Sequence, residues 1–214
     1  MEVYSSEEQQ VEAIKRFWRE YGITIVAGAI IGLGGLYGFR YYQSNQLAQA
    51  EQASGGFEQL LQAKENQQDN WLTDAEQYKA AHERTSYAQF AAMLTARDAV
   101  MKGDYELAEQ QLSWVIAKSD DKVIQTIARL RLARVHLQQE QATQALAVLD
   151  KQAVPASFQA QQQELMGDIQ LALGDAAAAK RAYLVARSSD GTEGNQLLKI
   201  KLDELAHVHV EGNL

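Results

Sequence analysis

The chain has 214 residues, of which 46% are hydrophobic, and it carries a formal net charge of −8 with no cysteine. Nucleic acid and anionic lipid both require positive charge, so this acidic balance argues against them as ligands. The lack of cysteine excludes a disulfide framework and a thiolate metal site. Beyond residue 40 the sequence is rich in Ala, Gln, Leu and Glu and contains the single proline of the chain, so an all-α protein is predicted.

Residues 1–20 form a short charged tail. Ser5 and Glu8 have the spacing of a capping box at the start of a helix. Apolar side chains then follow at helical spacing at Val11, Ile14, Phe17, Trp18 and Tyr21. We expect an amphipathic helix that continues into the next segment. Whether this tail lies on the membrane surface or contacts a partner stays open.

Residues 21–39 contain no charged side chain, and Glu20 and Arg40 bound the run. As a helix the run would be about 28 Å long at ~1.5 Å per residue, close to the roughly 30 Å of a hydrocarbon core. A transmembrane helix is therefore predicted. A cleaved signal peptide fits less well, because the run exceeds the usual ~7–15 apolar residues and Ala48-Gln49-Ala50 lies well beyond it. A buried core helix would need a large surrounding protein.

The charges that flank this segment predict its orientation. Lys15, Arg16 and Arg19 precede it closely, whereas Arg40 stands alone after it and the next basic residue is Lys64. Positive charge accumulates on the cytoplasmic side of membrane proteins. We therefore expect the tail in the cytoplasm and the rest of the chain across the membrane.

A stripe of small residues lies on the predicted transmembrane helix. Gly28, Gly32 and Gly35 fall within about 60° of one another around the helix axis. Small residues let helices approach closely in membranes, so these glycines are a candidate packing face for another transmembrane helix. The alternative is that glycine is simply common in membrane helices.

Beyond the membrane segment we expect a stem and then a folded domain. Residues 40–56 read as a helical stem that ends at Ser54-Gly55-Gly56, where small residues predict a break. Residues 57–214 form the predicted domain. Its first part, 57–86, has apolar residues at helical spacing, which fits a helix pair that caps the rest.

A recurring motif organises the domain. Three similar short segments each lie between two helical stretches: Gly103-Asp104-Tyr105, Glu140-Gln141-Ala142 and Gly174-Asp175-Ala176. An alanine stands three residues after the end of each segment, at Ala108, Ala145 and Ala179. These alanines are separated by 37 and then 34 residues. A period of about 34 residues is the signature of tetratricopeptide helix–turn–helix repeats. We predict units near 89–122, 126–159 and 160–193, followed by a closing helix at 195–210.

Such a stack has a concave groove lined by the first helix of each unit. The family's groove positions, transferred to this sequence, are Phe90, Met93, Arg97, Val100, Ile127, Leu130, Arg134, Leu137, Gln161, Glu164, Asp168 and Leu171. Arg97, Arg134 and Asp168 occupy equivalent positions, which predicts a groove that grades from basic and apolar to acidic. Arginines among apolar residues suit an extended peptide that carries carboxylates. The alternative is that these arginines pair with neighbouring carboxylates on the surface.

The sequence gives little reason to expect catalysis. It contains no phosphate-binding loop, no nucleophile motif and no metal-ligand spacing. His207 and His209 would point about 200° apart on a helix and could not share a metal, and His136 fits a packing position between repeats. We predict a protein that is not an enzyme and binds no cofactor and no metal.

Several segments together resemble one family. These are the Met-Glu-Val-Tyr start, the segment from Gln10 to Phe17, Gly38-Phe39-Arg40-Tyr41-Tyr42, and Leu130-Arg131-Leu132-Ala133-Arg134-Val135. They resemble the YfgM family, the ancillary subunits of the bacterial SecYEG translocon. The resemblance implies a single-pass protein of the bacterial inner membrane with a periplasmic tetratricopeptide-like domain. It also implies association with SecYEG and the periplasmic chaperone PpiD, with newly translocated, unfolded secretory proteins as further clients.

Two functional interpretations follow. The first is a membrane-anchored scaffold that assists the folding and trafficking of newly translocated proteins. The alternative is a regulatory adaptor in envelope-stress signalling that acts through its cytoplasmic tail.

Overall fold

The computed structural model describes residues 3–68, 70–149, 154–189 and 195–210. All regular secondary structure in these residues is helical, which confirms the all-α class. The helices are α1 (Val3–Glu65), α2 (Trp71–Ala81), α3 (Ser86–Lys102), α4 (Tyr105–Lys118), α5 (Lys122–Gln138), α6 (Ala142–Leu149), α7 (Gln159–Ala172), α8 (Ala176–Ser188) and α9 (Gln196–Glu204), with one 3-10 turn at Ala156–Phe158.

The chain divides into two compact units, Met1–Gln52 and Ala53–Leu214. Within the described residues, one helical stretch, Ile14–Glu65, is long and apolar enough to cross a membrane. Its uncharged part exposes large apolar side chains on all sides, among them Ile23, Ile31 and Phe39. A helix that is apolar all round has to be covered by protein or by lipid, so this segment is a candidate membrane span.

The predicted break at Ser54-Gly55-Gly56 was wrong, because α1 continues through these residues to Glu65. The second unit explains why small residues stand there. A Cβ built on Gly56 would lie 2.9 Å from the Tyr78 ring, and the Tyr78 hydroxyl donates a hydrogen bond of 2.5 Å to the Ala53 carbonyl. Burial, with Tyr87 nearby, raises the pKa of Tyr78 to about 12. Gly56 therefore permits close packing of α2 rather than a bend.

The repeats consist of three helix pairs, α3–α4, α5–α6 and α7–α8. The predicted small residues lie at their crossings, since Ala96, Ala108, Ala145 and Ala179 are all buried. Small side chains let the paired helices approach closely. The helix order is thus that of three helix–turn–helix units preceded by the end of α1 and α2.

The turns within the pairs share one backbone device. Gly103 and Gly174 adopt positive φ angles of 77° and 85°, as predicted for the turn glycines. Glu140 stands at the corresponding place in the second pair with φ 61°. A non-glycine residue in this region is strained, so the second turn is less favourable than the other two.

Aspartates begin three of the repeat helices. The side chains of Asp104, Asp121 and Asp175 accept hydrogen bonds from backbone N–H groups in the first turns of α4, α5 and α8. Each such cap contributes about 1 kcal/mol to helix stability. The Gly-Asp pair of the motif therefore ends one helix and starts the next.

The closing helix is shorter than predicted. Instead of running over 195–210, α9 begins at Gln196 and ends at Glu204, and a turn follows. The Lys180 ammonium donates hydrogen bonds to the carbonyls of Ala206 (3.2 Å) and Val208 (2.7 Å). These bonds satisfy carbonyls that a continuing helix would have used. Leu198, Leu202 and Leu205 still cover the third repeat, as expected of a closing element.

Candidate functional site

A concave pocket of about 570 Å³ lies between the first helices of the first two repeats. Helices α3 and α5 form its walls, and α4 contributes to its floor. Its lining residues are Met93, Ala96, Arg97, Val100, Met101, Tyr105, Leu112, Arg131, Arg134, Val135 and Gln138. We call this the α3–α5 pocket.

Helical spacing places these side chains on common faces. The α3 residues recur at intervals of three and four, from Met93 to Met101, and the α5 residues do the same from Arg131 to Gln138. The inner side chains, such as Met93 and Leu112, are buried at 8% and 1% exposure, whereas Met101 at the rim is 73% exposed. The pocket is therefore an apolar hollow with an open, partly polar rim.

Three arginines dominate the electrostatics of the α3–α5 pocket. Partial desolvation and the positive charges of Arg134 and Arg97 lower the pKa of Arg131, although the residue as a whole is exposed. Among the described residues, no carboxylate forms an ion pair with Arg97, Arg131 or Arg134. The alternative that these arginines pair with neighbouring carboxylates thus fails for the described residues.

This arrangement can bind anionic oxygens next to apolar groups. A guanidinium offers five donors and no acceptor, so it cannot satisfy a second guanidinium. The adjacent apolar wall of Val100 and Val135 would contact side chains of low polarity. Among the described residues, no group of three or more His, Cys, Asp or Glu side chains could hold a metal ion.

Four of the twelve predicted groove residues line the α3–α5 pocket, namely Met93, Arg97, Val100 and Arg134. Arg131 also lines the pocket but was not among the predicted residues, and Arg97 and Arg134 lie close enough to lower its pKa. Its signal was available, because Arg131 and Arg134 are three residues apart and therefore share one face of α5.

The other predicted residues of the second repeat belong to the interior. Leu130 is 3% exposed and lies in a core cluster with Ala133 and Leu149. Ile127 and Leu137 are partly buried against such clusters. One residue along a helix is a rotation of about 100°, so the stripe through Leu130 faces the packed side while the stripe through Arg131 faces the pocket.

Phe90 also lies outside the pocket lining. Its ring centroid is 6.4 Å from that of Phe57 and 6.4 Å from that of Tyr87. These contacts tie α3 to the end of α1. Phe90 therefore contributes to the packing of α3 against the end of α1, although it remains 40% exposed.

The predicted acidic positions of the third repeat are already occupied by the chain itself. Gln161 and Leu171 are exposed, but the Lys201 ammonium of α9 contacts Glu164 Oε1 at 2.9 Å and Asp168 Oδ1 at 2.7 Å. The Tyr183 hydroxyl also donates to Asp168, at 2.7 Å. The closing helix therefore supplies one positive charge against these two carboxylates and partly neutralises the acidic end of the predicted groove.

The titration behaviour of this cluster follows from the same contacts. Burial alone would lower the pKa of Lys201, but hydrogen bonds to Asp168 and Glu164 outweigh it and raise that pKa. Burial and the hydrogen bond to Asp168 raise the pKa of Tyr183 as well. Both groups keep their protons more strongly in the folded chain.

The glycine stripe of α1 is open. Apart from the backbone of α1 itself, no described atom lies within 4 Å of a Cβ built on Gly28, Gly32 or Gly35. In contrast, the Trp18 ring lies 3.5 Å from a Cβ built on Gly22. Gly34 and Gly38, which lie off the stripe, are equally open, so the packing face stays a prediction.

Comparisons with known proteins agree with this architecture. The tetratricopeptide repeat-like domain family matches residues 15–207. A protein of Haemophilus influenzae named "Ancillary SecYEG translocon subunit" is 37% identical over 199 residues, which cover 93% of this chain and 97% of the relative. Relatives of the same name from Escherichia coli K12 and Neisseria gonorrhoeae are 33% and 28% identical, each over 96% of this chain and the whole of the relative. No solved structure matches the chain.

Proposed function

This chain belongs to the family of ancillary SecYEG translocon subunits and carries that family's tetratricopeptide repeat-like domain, and from this premise we propose that it is a membrane-anchored protein-binding subunit of the SecYEG translocon. The observation that carries the proposal is the α3–α5 pocket, an open concavity in a helical-repeat stack. Stacks of this kind bind polypeptides in their concave surfaces. A scaffold role without catalysis follows for the domain.

Several features of the first unit support the anchor. The candidate span exposes apolar side chains that lipid would cover. The three basic residues before it and the single one after it favour a cytoplasmic tail and a periplasmic repeat domain in the bacterial inner membrane. Tethering beside the channel raises the effective concentration of the pocket where new chains emerge.

We further assign the partners by role. The open glycine stripe of Gly28, Gly32 and Gly35 supplies a packing face for a transmembrane helix of SecYEG. The α3–α5 pocket holds a segment of the periplasmic chaperone PpiD or of an unfolded secretory client. In this way the subunit brings a chaperone to newly translocated proteins and assists their folding and trafficking.

Photo-crosslinking in intact cells tests the assignment. A photoreactive residue at Val100, in the pocket, should capture PpiD or secretory clients, whereas one at Arg181, exposed on α8, should not. Arg181 is the matched control because it lies on the same domain outside the pocket lining. Equal capture from both positions, or capture from neither, contradicts a binding role for the pocket.

The glycine stripe has a test of its own. Replacing Gly28, Gly32 and Gly35 with Leu should reduce co-purification with SecYEG in mild detergent. The control is Gly34→Leu, since Gly34 lies about 120° away from the stripe around the helix. Undiminished recovery of SecYEG with the triple variant refutes the packing face.

A regulatory adaptor remains the second candidate function. It is favoured by the tail part of α1, where Ile14 and Trp18 are 67% and 59% exposed. A photoreactive residue at Phe17 addresses this role. Crosslinks from Phe17 to a cytoplasmic protein, with none from Val100, would favour the adaptor in envelope-stress signalling over the scaffold.

A further inference from the structure

We propose that the α3–α5 pocket recognises a polypeptide segment in which carboxylate side chains alternate with apolar ones, and that Arg97, Arg131 and Arg134 together bind those carboxylates. The inference deepens the proposed function and rests on it, because it names the chemistry of the segment that the pocket holds.

Three lysines of the second unit that are more buried than these arginines have carboxylate partners. Lys64 pairs with Asp98, Lys79 with Glu76, and Lys201 with both Glu164 and Asp168. Acidic residues outnumber Lys and Arg by 28 to 20 in the chain. Carboxylates are therefore plentiful, and the folded domain uses them for its lysines.

The three pocket arginines are exposed and differ from these lysines in having no carboxylate partner. No described carboxylate pairs with Arg97, Arg131 or Arg134, although the three charges lie close enough for Arg97 and Arg134 to lower the pKa of Arg131. Solvent screens part of the repulsion between these exposed charges. A ligand carboxylate would replace the remaining repulsion with attraction and hydrogen bonds.

The geometry of the cluster suits carboxylates. Arg131 and Arg134 are neighbours on one face of α5, with Cβ atoms about 5–6 Å apart at this spacing, and Arg97 faces them from α3. A guanidinium binds a carboxylate through two parallel hydrogen bonds, which makes the contact both strong and directional. The cluster can therefore hold one carboxylate between two arginines or two carboxylates along a segment.

The remaining lining defines the rest of the ligand. Met93, Met101 and Val100 offer an apolar surface beside the arginines. Methionine side chains adapt to different apolar partners, and about 570 Å³ accommodates a few side chains. The segment recognised is thus short, with apolar anchors on either side of its acidic residues.

Charge elsewhere on the chain limits the alternatives. With a net charge of −8, the protein repels a polyanion beyond the local cluster. Nucleic acid and an anionic lipid surface would have to contact that negative surface, whereas a segment with one or two carboxylates would not. Charge complementarity therefore favours a mildly acidic polypeptide.

Fluorescence anisotropy with the full-length chain in mild detergent tests the inference. The probe is a short labelled peptide in which Glu alternates with Leu, and its counterpart carries Gln in place of each Glu. We expect the Glu peptide to bind at least tenfold more tightly than the Gln peptide, with the preference weakening as salt rises.

Variants locate the preference. Arg131→Gln and Arg134→Gln should each weaken binding of the Glu peptide by roughly three- to tenfold and leave the Gln peptide unchanged. Arg181→Gln removes the same charge from α8 outside the pocket and should change neither affinity. Circular dichroism of each variant establishes that the helical fold is intact.

The outcomes separate this inference from the proposed function. Equal binding of the two peptides, or weakening by Arg181→Gln as large as by Arg131→Gln, overturns the carboxylate assignment. If neither peptide binds while a photoreactive residue at Val100 captures a partner, the inference fails and the scaffold function stands. If that position also captures nothing, both fail.

Sedimentation of the chain without peptide addresses a second copy as the occupant. Dimers that form with rising concentration and disappear in Arg131→Gln would assign the pocket to self-association and overturn the peptide ligand. If Arg131→Gln leaves the sedimentation coefficient unchanged, the result supports the peptide ligand.

Discussion

The second and third repeats use charge in opposite ways. In the third, Glu164 and Asp168 lie at predicted groove positions, and Lys201 of the closing helix binds both. The pocket between α3 and α5, which includes the first helix of the second repeat, instead carries Arg97, Arg131 and Arg134. No described carboxylate pairs with these three arginines. At one end of the stack the chain itself supplies the countercharge, and at the other we propose that a ligand supplies it.

This difference shows how a repeat stack can be closed and functional at once. A terminal repeat needs a cap to cover its apolar face, and α9 provides that cover and partly neutralises the acidic side chains. The pocket between α3 and α5 lies away from this cap, so its charges can be kept for binding. The following variants probe the capped third repeat and the α3–α5 pocket, from the largest expected change in stability to the smallest.

Gly167→Ala tests the tight packing of the closed side. A Cβ on Gly167 would overlap the Tyr183 ring, which is buried at 1% exposure. We expect a loss of about 2–3 kcal/mol in the free energy of unfolding, measured by urea unfolding of the full chain in mild detergent. Gly55→Ala is the control, since Gly55 is also helical and meets nothing within 4 Å. If both substitutions are harmless, the Gly167–Tyr183 contact does not hold the third repeat together.

Lys201→Met tests the neutralisation by α9. Glu164 and Asp168 would lose their cation in a partly buried setting, so we expect a loss of about 1–2 kcal/mol in the same unfolding measurement. Lys199→Met, on the exposed face of α9, is the control. Similar small effects of the two variants would mean that the ion pairs contribute little.

The same cluster predicts a pH dependence. The folded-state pKa values of Lys201 and Tyr183 are raised, so their contribution is complete below the unfolded values of roughly 10 and is lost as the pH rises through the folded ones. The contribution of this cluster should therefore stay constant up to about pH 10 and be lost above it, and this alkaline fall in stability should be smaller in Lys201→Met. An identical alkaline profile for variant and parent would argue against the linkage.

Glu140→Gly tests the turn of the second repeat, which lies between α5 and α6. Glu140 has φ 61°, in the region where glycine is free of strain, so we expect a gain of about 0.5 kcal/mol. Gln139→Gly, at φ −89°, should instead lose a similar amount, through greater flexibility of the unfolded chain and loss of the long 3.5 Å hydrogen bond from the Gln139 side-chain amide to the Val135 carbonyl. A loss in both variants would show that Glu140 makes a compensating contribution.

Arg131→Gln tests the open side through stability. Removing the central charge relieves repulsion from Arg97 and Arg134, and because Arg131 is exposed the gain should be only a few tenths of a kcal/mol. Arg181→Gln should leave stability unchanged. A clear loss of stability in Arg131→Gln would mean that this arginine supports the fold and is not reserved for a ligand.

The sequence was sufficient to predict the helix pairs and their order. Period, turn motif and small residues such as Ala108 and Ala145 act locally and recur, so each repeat can be recognised independently. The side of α5 that faces the pocket could not be predicted in this way. Leu130 and Arg131 are adjacent, and an apolar helix packed against two neighbours carries apolar residues on more than one face.

Long-range pairing was equally hidden. Lys201 contacts Asp168 across 33 residues of sequence, and nothing in the local pattern of α7 indicates that its carboxylates are already bound. Likewise, Gly56 reads as a helix breaker until the Tyr78 ring is placed against it. Period and composition predict elements, whereas the partner of a given side chain depends on how those elements pack.

The central claim is that the arginines of the α3–α5 pocket are covered by another protein when this chain is at the membrane. Arginine-specific chemical modification, read by mass spectrometry, tests it directly by comparing inner-membrane vesicles with the purified chain. The account predicts that Arg131 and Arg134 react less in the vesicles while Arg181 reacts equally in both. Equal reactivity of Arg131 in the two preparations would contradict it.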